Sequence, residues 1–89
     1  MTVTDVKVKI INGEKAVRAV TDVVFDGVLV IHGVKVVEGK SGIFISFPQR
    51  SVRDRKAKET SYFDIVHPLN TQTRHMIEEA ILDAYNKAK

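Results

Sequence analysis

The chain has no cysteine, no tryptophan and only two prolines among its 89 residues. Without thiols there can be no disulfide, no thiolate nucleophile and no cysteine-ligated zinc, and such a composition suits a reducing compartment. Long apolar runs are missing too: none approaches the roughly 18 residues that a membrane-crossing helix needs. The opening MTVTDVKVKI alternates charge with valine where a secretory leader would carry a continuous apolar stretch. A cytoplasmic location without membrane attachment is expected. No Gly/Ser/Pro-rich linker and no internal repeat divides the chain, so residues 1–89 are expected to form one domain. A domain lacking both disulfide and metal often gains burial by pairing with a copy of itself, which makes a homodimer the expected assembly.

What remains is the balance of an ordinary globular domain, 44% hydrophobic and 28% charged. The formal net charge of +3 is unevenly placed. Residues 50–58, RSVRDRKAK, hold five Lys/Arg against one Asp, so this segment carries +4 and the other eighty residues sum to −1.

From Thr2 to Ile10, Val6, Val8 and Ile10 alternate with Asp5, Lys7 and Lys9, the period-two pattern of a strand with one buried face. Asn12-Gly13 predicts a hairpin turn into a second strand from about Lys15 to Phe25, and Asp26-Gly27 predicts another. The third strand, in VLVIHGVKVVEG, contains Gly33, a signal for a bulge. A turn across Gly39 to Gly42 leads to IFISF, which Pro48 ends. After the basic segment, read as a flexible arm, SYFDIV predicts a fifth strand. The period then changes: Met76, Ile77, Ala80, Ile81, Ala84, Tyr85 and Ala88 form the apolar stripe of an amphipathic helix. Asn70 stands where its N-cap is needed. Leu82 lies beside the stripe and is a candidate dimer-interface residue. The predicted fold is α+β, a small antiparallel meander sheet of about five strands with one C-terminal helix.

Three histidines raise the question of a metal or acid–base site. His32 is in phase with Val30, Val34 and Val36, which predicts a structural histidine on an apolar strand face. His75 falls on the exposed side of the helix, four residues before Glu79. Neither has zinc-ligand spacing to another ligand, so no metal and no cofactor are expected. His67 could be oriented by Asp64 as a catalytic imidazole is by a carboxylate. A regular strand would point residues 64 and 67 to opposite faces, and no nucleophile elbow or phosphate loop accompanies them. The alternative is a structural corner in which Pro68 holds His67 extended ahead of the Asn70 cap. No enzyme activity and no small-molecule substrate are expected.

The cations Arg50, Arg53, Arg55, Lys56 and Lys58 either form a solvated loop or reach phosphates. Full neutralisation of five phosphates would give a salt slope near −0.9 × 5 per protomer as an upper bound.

Three stretches then carry a resemblance: VTDVKVKII at residues 3–11, VIHGVKVVEGKSGIFISFPQR at 30–50 and DIVHPLNTQTRHMIEEAILDAY at 64–85. In this order, over nearly the whole chain, they resemble the stage V sporulation protein G (SpoVG) family. The most specific part is the D-I-x-H-P-[IL]-N run, followed by T-R and I-x-x-A-[VI]-L-x-x-Y. The resemblance implies a bacterial cytoplasmic regulator, homodimeric and without catalytic activity, that binds DNA and in some members RNA, with effects on gene expression, septation and sporulation. It also implies nucleic-acid contacts at Arg50 and at Arg74, at the head of the helix. Between those points QRSVRDRKAKETSY departs from the family's compact turn, so Arg53, Arg55, Lys56 and Lys58 rest on the electrostatic reading alone. The alternative function is a protein-interaction module that acts on the division or sporulation machinery through its dimer surface and strand edges.

Overall fold

The computed structural model describes residues 1–13, 16–56 and 58–89. Alternation at the N-terminus yields β1 (Val3–Ile10), which pairs antiparallel with β2 (Val17–Phe25). The predicted start of the second strand at Lys15 lies outside the described residues. Ile10 faces Ala19, and the Ile11 N–H donates to the Arg18 carbonyl at 2.9 Å. Asn12-Gly13 therefore opens a wider connection than the two-residue turn its chemistry predicts. Asp26 (φ 52°) and Gly27 (φ 67°) do form the tight turn into β3 (Leu29–Gly39), closed by the Val28 N–H on the Phe25 carbonyl at 3.0 Å. Positive φ at both central positions is the requirement that Asp-Gly meets at low cost. β4 (Gly42–Ser46) completes a four-stranded meander in the order β1-β2-β3-β4.

Gly33 decides which side chains of β3 face inward. Thr21 pairs with Val34 but Asp22 pairs with His32, so Gly33, at φ 78°, is the extra residue of a bulge. One inserted residue inverts the alternation. Val34 and Val36 beyond the bulge are buried, while His32 before it is exposed. The structural-histidine expectation for His32 is thereby corrected: its side chain is 72% exposed, and its Nδ1 donates to Asp22 Oδ1 at 3.0 Å.

One face of this sheet makes the core with the helix α1 (Thr71–Ala88). Ile77, Ile81 and Tyr85 bury against the cluster of Ala19, Val23, Phe25, Val34, Val36, Ile45 and Phe47, with Val6, Val8 and Ile10 of β1 at its margin. Ile81 is fully buried, and burying such a side chain stabilises the fold by about 1.5–3 kcal/mol. The one buried polar side chain among the described residues, Thr21, donates to the Val34 carbonyl at 2.8 Å. Leu82, the interface candidate, is half-buried at the edge of the chain's own core.

The basic segment differs from its prediction. Gln49–Asp54 is a strand, β5, which pairs antiparallel with β6 (Glu59–Asp64) in a separate two-stranded sheet. Among the described residues there are thus six strands in two sheets, with a strand pair in place of the expected flexible arm. Every residue of β5 and β6 is exposed. The radius of gyration, 14.3 Å, exceeds the roughly 12 Å typical of a compact chain this long, in keeping with a projecting hairpin.

The bulge generates a stability prediction. A Cβ at Gly33 would meet no atom within 4 Å, so replacement is opposed by backbone conformation alone. Gly33→Ala should lower unfolding free energy by about 1–2 kcal/mol in a urea titration. An alanine variant as stable as the parent would show that β3 reaches its register without the left-handed residue.

Candidate functional site

The hairpin register sorts the exposed side chains. Arg50 faces Phe63, Ser51 faces Tyr62, Val52 faces Ser61 and Arg53 faces Thr60. Alternation places Ser51, Arg53, Thr60 and Tyr62 on one face of the hairpin and Arg50, Val52, Ser61 and Phe63 on the other. At the tip, Arg53, Arg55 and Lys58 line one open concavity of about 700 Å³. Lys58 has φ 54°, and the Lys56 N–H donates to Asp54 Oδ1 at 2.9 Å, an Asx-type turn at the end of β5. Lys56 does not line the concavity, and Arg50 points to the opposite hairpin face. Three of the five segment cations are therefore brought together.

The base of the hairpin is closed by short polar contacts between its two strands. The Ile65 N–H donates to the Pro48 carbonyl at 2.8 Å, and Gln49 Nε2 donates to Asp64 Oδ1 at 3.0 Å. His67 Nδ1 donates to the Pro68 carbonyl at 3.1 Å. Asp64 and His67 each have another partner, so the arrangement is not a carboxylate–imidazole dyad. His67 and Pro68 lead into the helix cap, where Asn70 Oδ1 accepts from the Thr73 N–H at 2.7 Å.

Arg74 lies one turn beyond that cap. Its guanidinium sits 5.6 Å from the centre of the Phe47 ring, a cation–π contact that restrains a long side chain. The helix has no acidic residue in its first turn, so none of that turn's own side chains neutralises the positive end of its dipole. A cavity of about 450 Å³ beside it is lined by Tyr62, Phe63, Asp64, His67 and Arg74. Salt bridges among the described residues join Arg18 to Glu38 and Lys87 to Asp83, and His32 hydrogen-bonds Asp22. None involves Arg50, Arg53, Arg55, Lys56, Lys58 or Arg74.

Two residues at this site gave no sequence signal. Phe47 looked like the end of an apolar strand and proves to be the platform under Arg74. Tyr62, within a predicted strand, is 66% exposed and lines two cavities. The register across the basic segment, which the sequence did not reveal as a hairpin, was the information needed to find it.

These features define a small α+β domain with an exposed cationic hairpin beside a helix N-terminus. The SpoVG family model matches residues 1–87. Proteins carrying the name "Putative septation protein SpoVG" are similar over all 89 residues: one from Clostridium perfringens at 43% identity, covering 93% of that protein. Another from Caldanaerobacter subterraneus subsp. tengcongensis is 44% identical, with 92% of it covered, and one from Clostridium kluyveri is 45% identical, with 88% covered. The chain belongs to the SpoVG family.

The cap and the corner separate by mutation. Asn70→Ala should cost on the order of 1 kcal/mol in chemical denaturation. His67→Asn, at an exposed position, should change stability by no more than about 0.5 kcal/mol. A larger loss for His67 than for Asn70 would move the structural role from the cap to the corner.

Proposed function

We propose that this chain is a dimeric nucleic-acid-binding regulator that influences gene expression and septation or sporulation. The observation that carries the reading is the convergence of Arg53, Arg55 and Lys58 around one concavity, each exposed and none in a salt bridge among the described residues. Grouped cations of this kind gain affinity from a polyanion by releasing its counterions. Arg74, held over Phe47 at the helix N-terminus, offers a second phosphate contact. Arg50 and Lys56 add positive field around them. The names of the relatives support a septation role.

Exposed apolar side chains support self-association. Val52 and Phe63 share one hairpin face, and Ile43 and Phe44 lie on β4, the end strand of the larger sheet. A two-stranded hairpin is at best marginally stable alone, and a second copy would cover this face. Leu82, half-buried in its own core, is a weaker candidate for that contact than Phe63. Two subunits would bring two cationic tips to one polymer and strengthen binding through effective concentration.

The free edge and apolar side chains of β4 also favour a second reading, a protein-interaction module acting on the division or sporulation machinery. Partners that remain bound after nuclease treatment would favour that module; partners lost with the nucleic acid would favour the first reading.

The direct test is a binding titration across salt concentration with Arg53, Arg55 and Lys58 all changed to Ala. If each cation neutralises one phosphate, the slope of log K against log salt should become shallower by about 2–3. An unchanged slope and unchanged affinity would overturn the nucleic-acid reading.

A further inference from the structure

We propose that Tyr62 is a stacking platform for an unpaired base, making single-stranded nucleic acid the preferred ligand. The inference rests on the nucleic-acid reading above and specifies the form of the polymer.

Tyr62 has an unusual position. The residue is 66% exposed, and the residue opposite it in the hairpin is Ser51, which has only a small side chain. Its nearest strand neighbours on the same face are Thr60 and Asp64, with Gln49 and Arg53 on the diagonals. Apolar Val52 and Phe63 point to the opposite face, where they fit the proposed subunit contact. The register therefore sets Tyr62 on the face opposite Val52 and Phe63, although Phe63 shares the lining of the Arg74 cavity with it.

The ring also forms a wall of two cavities. The second, about 370 Å³, lies between the hairpin base and the main sheet, where Gly33, Lys35, Ser46, Gln49 and Ser51 are among its lining residues. This volume falls in the range of small-molecule sites. Lys35 supplies a charged donor, and the serines can donate or accept along a base edge. Gln49 Nε2 is committed to Asp64, which leaves its carbonyl oxygen directed by that bond. Tyr62 also borders the cavity lined by Arg74 and Asp64, and the Arg53–Arg55–Lys58 concavity lies at the hairpin tip. Each cavity that Tyr62 borders thus carries a cation, Lys35 in one and Arg74, beside the Asp64 carboxylate, in the other. A single strand can place phosphates against these cations and turn a base onto the ring, whereas a duplex keeps its base faces stacked internally.

The experiment is fluorescence anisotropy with fluorescein-labelled 12-mers of oligo(dT) and oligo(rU), and with a 12-base-pair duplex, against the full chain. Tyr62→Ala and Tyr62→Leu should both weaken single-strand binding by roughly tenfold to a hundredfold, and duplex binding by much less. Tyr62→Phe, which keeps the ring, should retain most of the single-strand affinity. Loss confined to oligo(dT) or to oligo(rU) would support the stack and identify the sugar it accepts. Sedimentation equilibrium of each variant should give the parent's assembly state.

Full affinity in the Leu variant, equal losses on single strand and duplex, or loss accompanied by a changed assembly state would each overturn the stack. The cation-to-Ala variant separates the two levels. If it loses binding while Tyr62 variants do not, the nucleic-acid reading stands and the stack fails; if neither loses binding, both fail.

Discussion

The structure depends on one packing constraint: a single helix must cover the apolar face of a four-stranded sheet. Ile77, Ile81 and Tyr85 do so from one stripe of α1, over a layer running from Ala19 and Val23 to Val34, Val36 and Ile45. That contact fixes the helix on the sheet and brings its first turn to Phe47. The Arg74 guanidinium lies over the Phe47 ring as a result. The hydrophobic effect supplies the placement, and the placement sets where positive charge is presented.

The bulge at Gly33 is the second determinant of this geometry. A regular third strand could not bury Val34 and Val36 while leaving His32 beside Asp22 on the opposite face. The left-handed glycine makes the phase change and leaves no side chain at the edge of the cavity shared with Tyr62. A feature that serves the core thereby also opens space beneath the hairpin. Cationic tip, exposed ring and helix N-terminus are then distributed around that hairpin on a folded support, which reduces the ordering cost a mobile arm would carry on binding.

Much of the core was legible because burial imposes periodicity. Alternation revealed β1, the three-and-four spacing revealed α1, and Asp26-Gly27 and Gly33 signalled their turn and bulge through backbone chemistry. The phase error at His32 came from carrying one alternation across that bulge. The hairpin from Gln49 to Asp64 was only half visible for a different reason. Both of its faces are exposed, so nothing forces apolar residues to alternate along β5, and its cations resembled a loop. Of the candidate residues, the Asn70 cap was readable from local chemistry. The grouping of Arg53 with Arg55 and Lys58, apart from Arg50, required the strand register.

The central claim is that the folded hairpin, together with the head of the helix, receives nucleic acid. Backbone amide shifts followed by NMR during titration with an unlabelled single-stranded 12-mer test it most directly. The account predicts that the largest saturable changes fall in residues 49–64 and around Arg74, with smaller ones at Lys35. Changes concentrated on β1, the outer side of α1 or the β4 edge, with the hairpin unaffected, would contradict it.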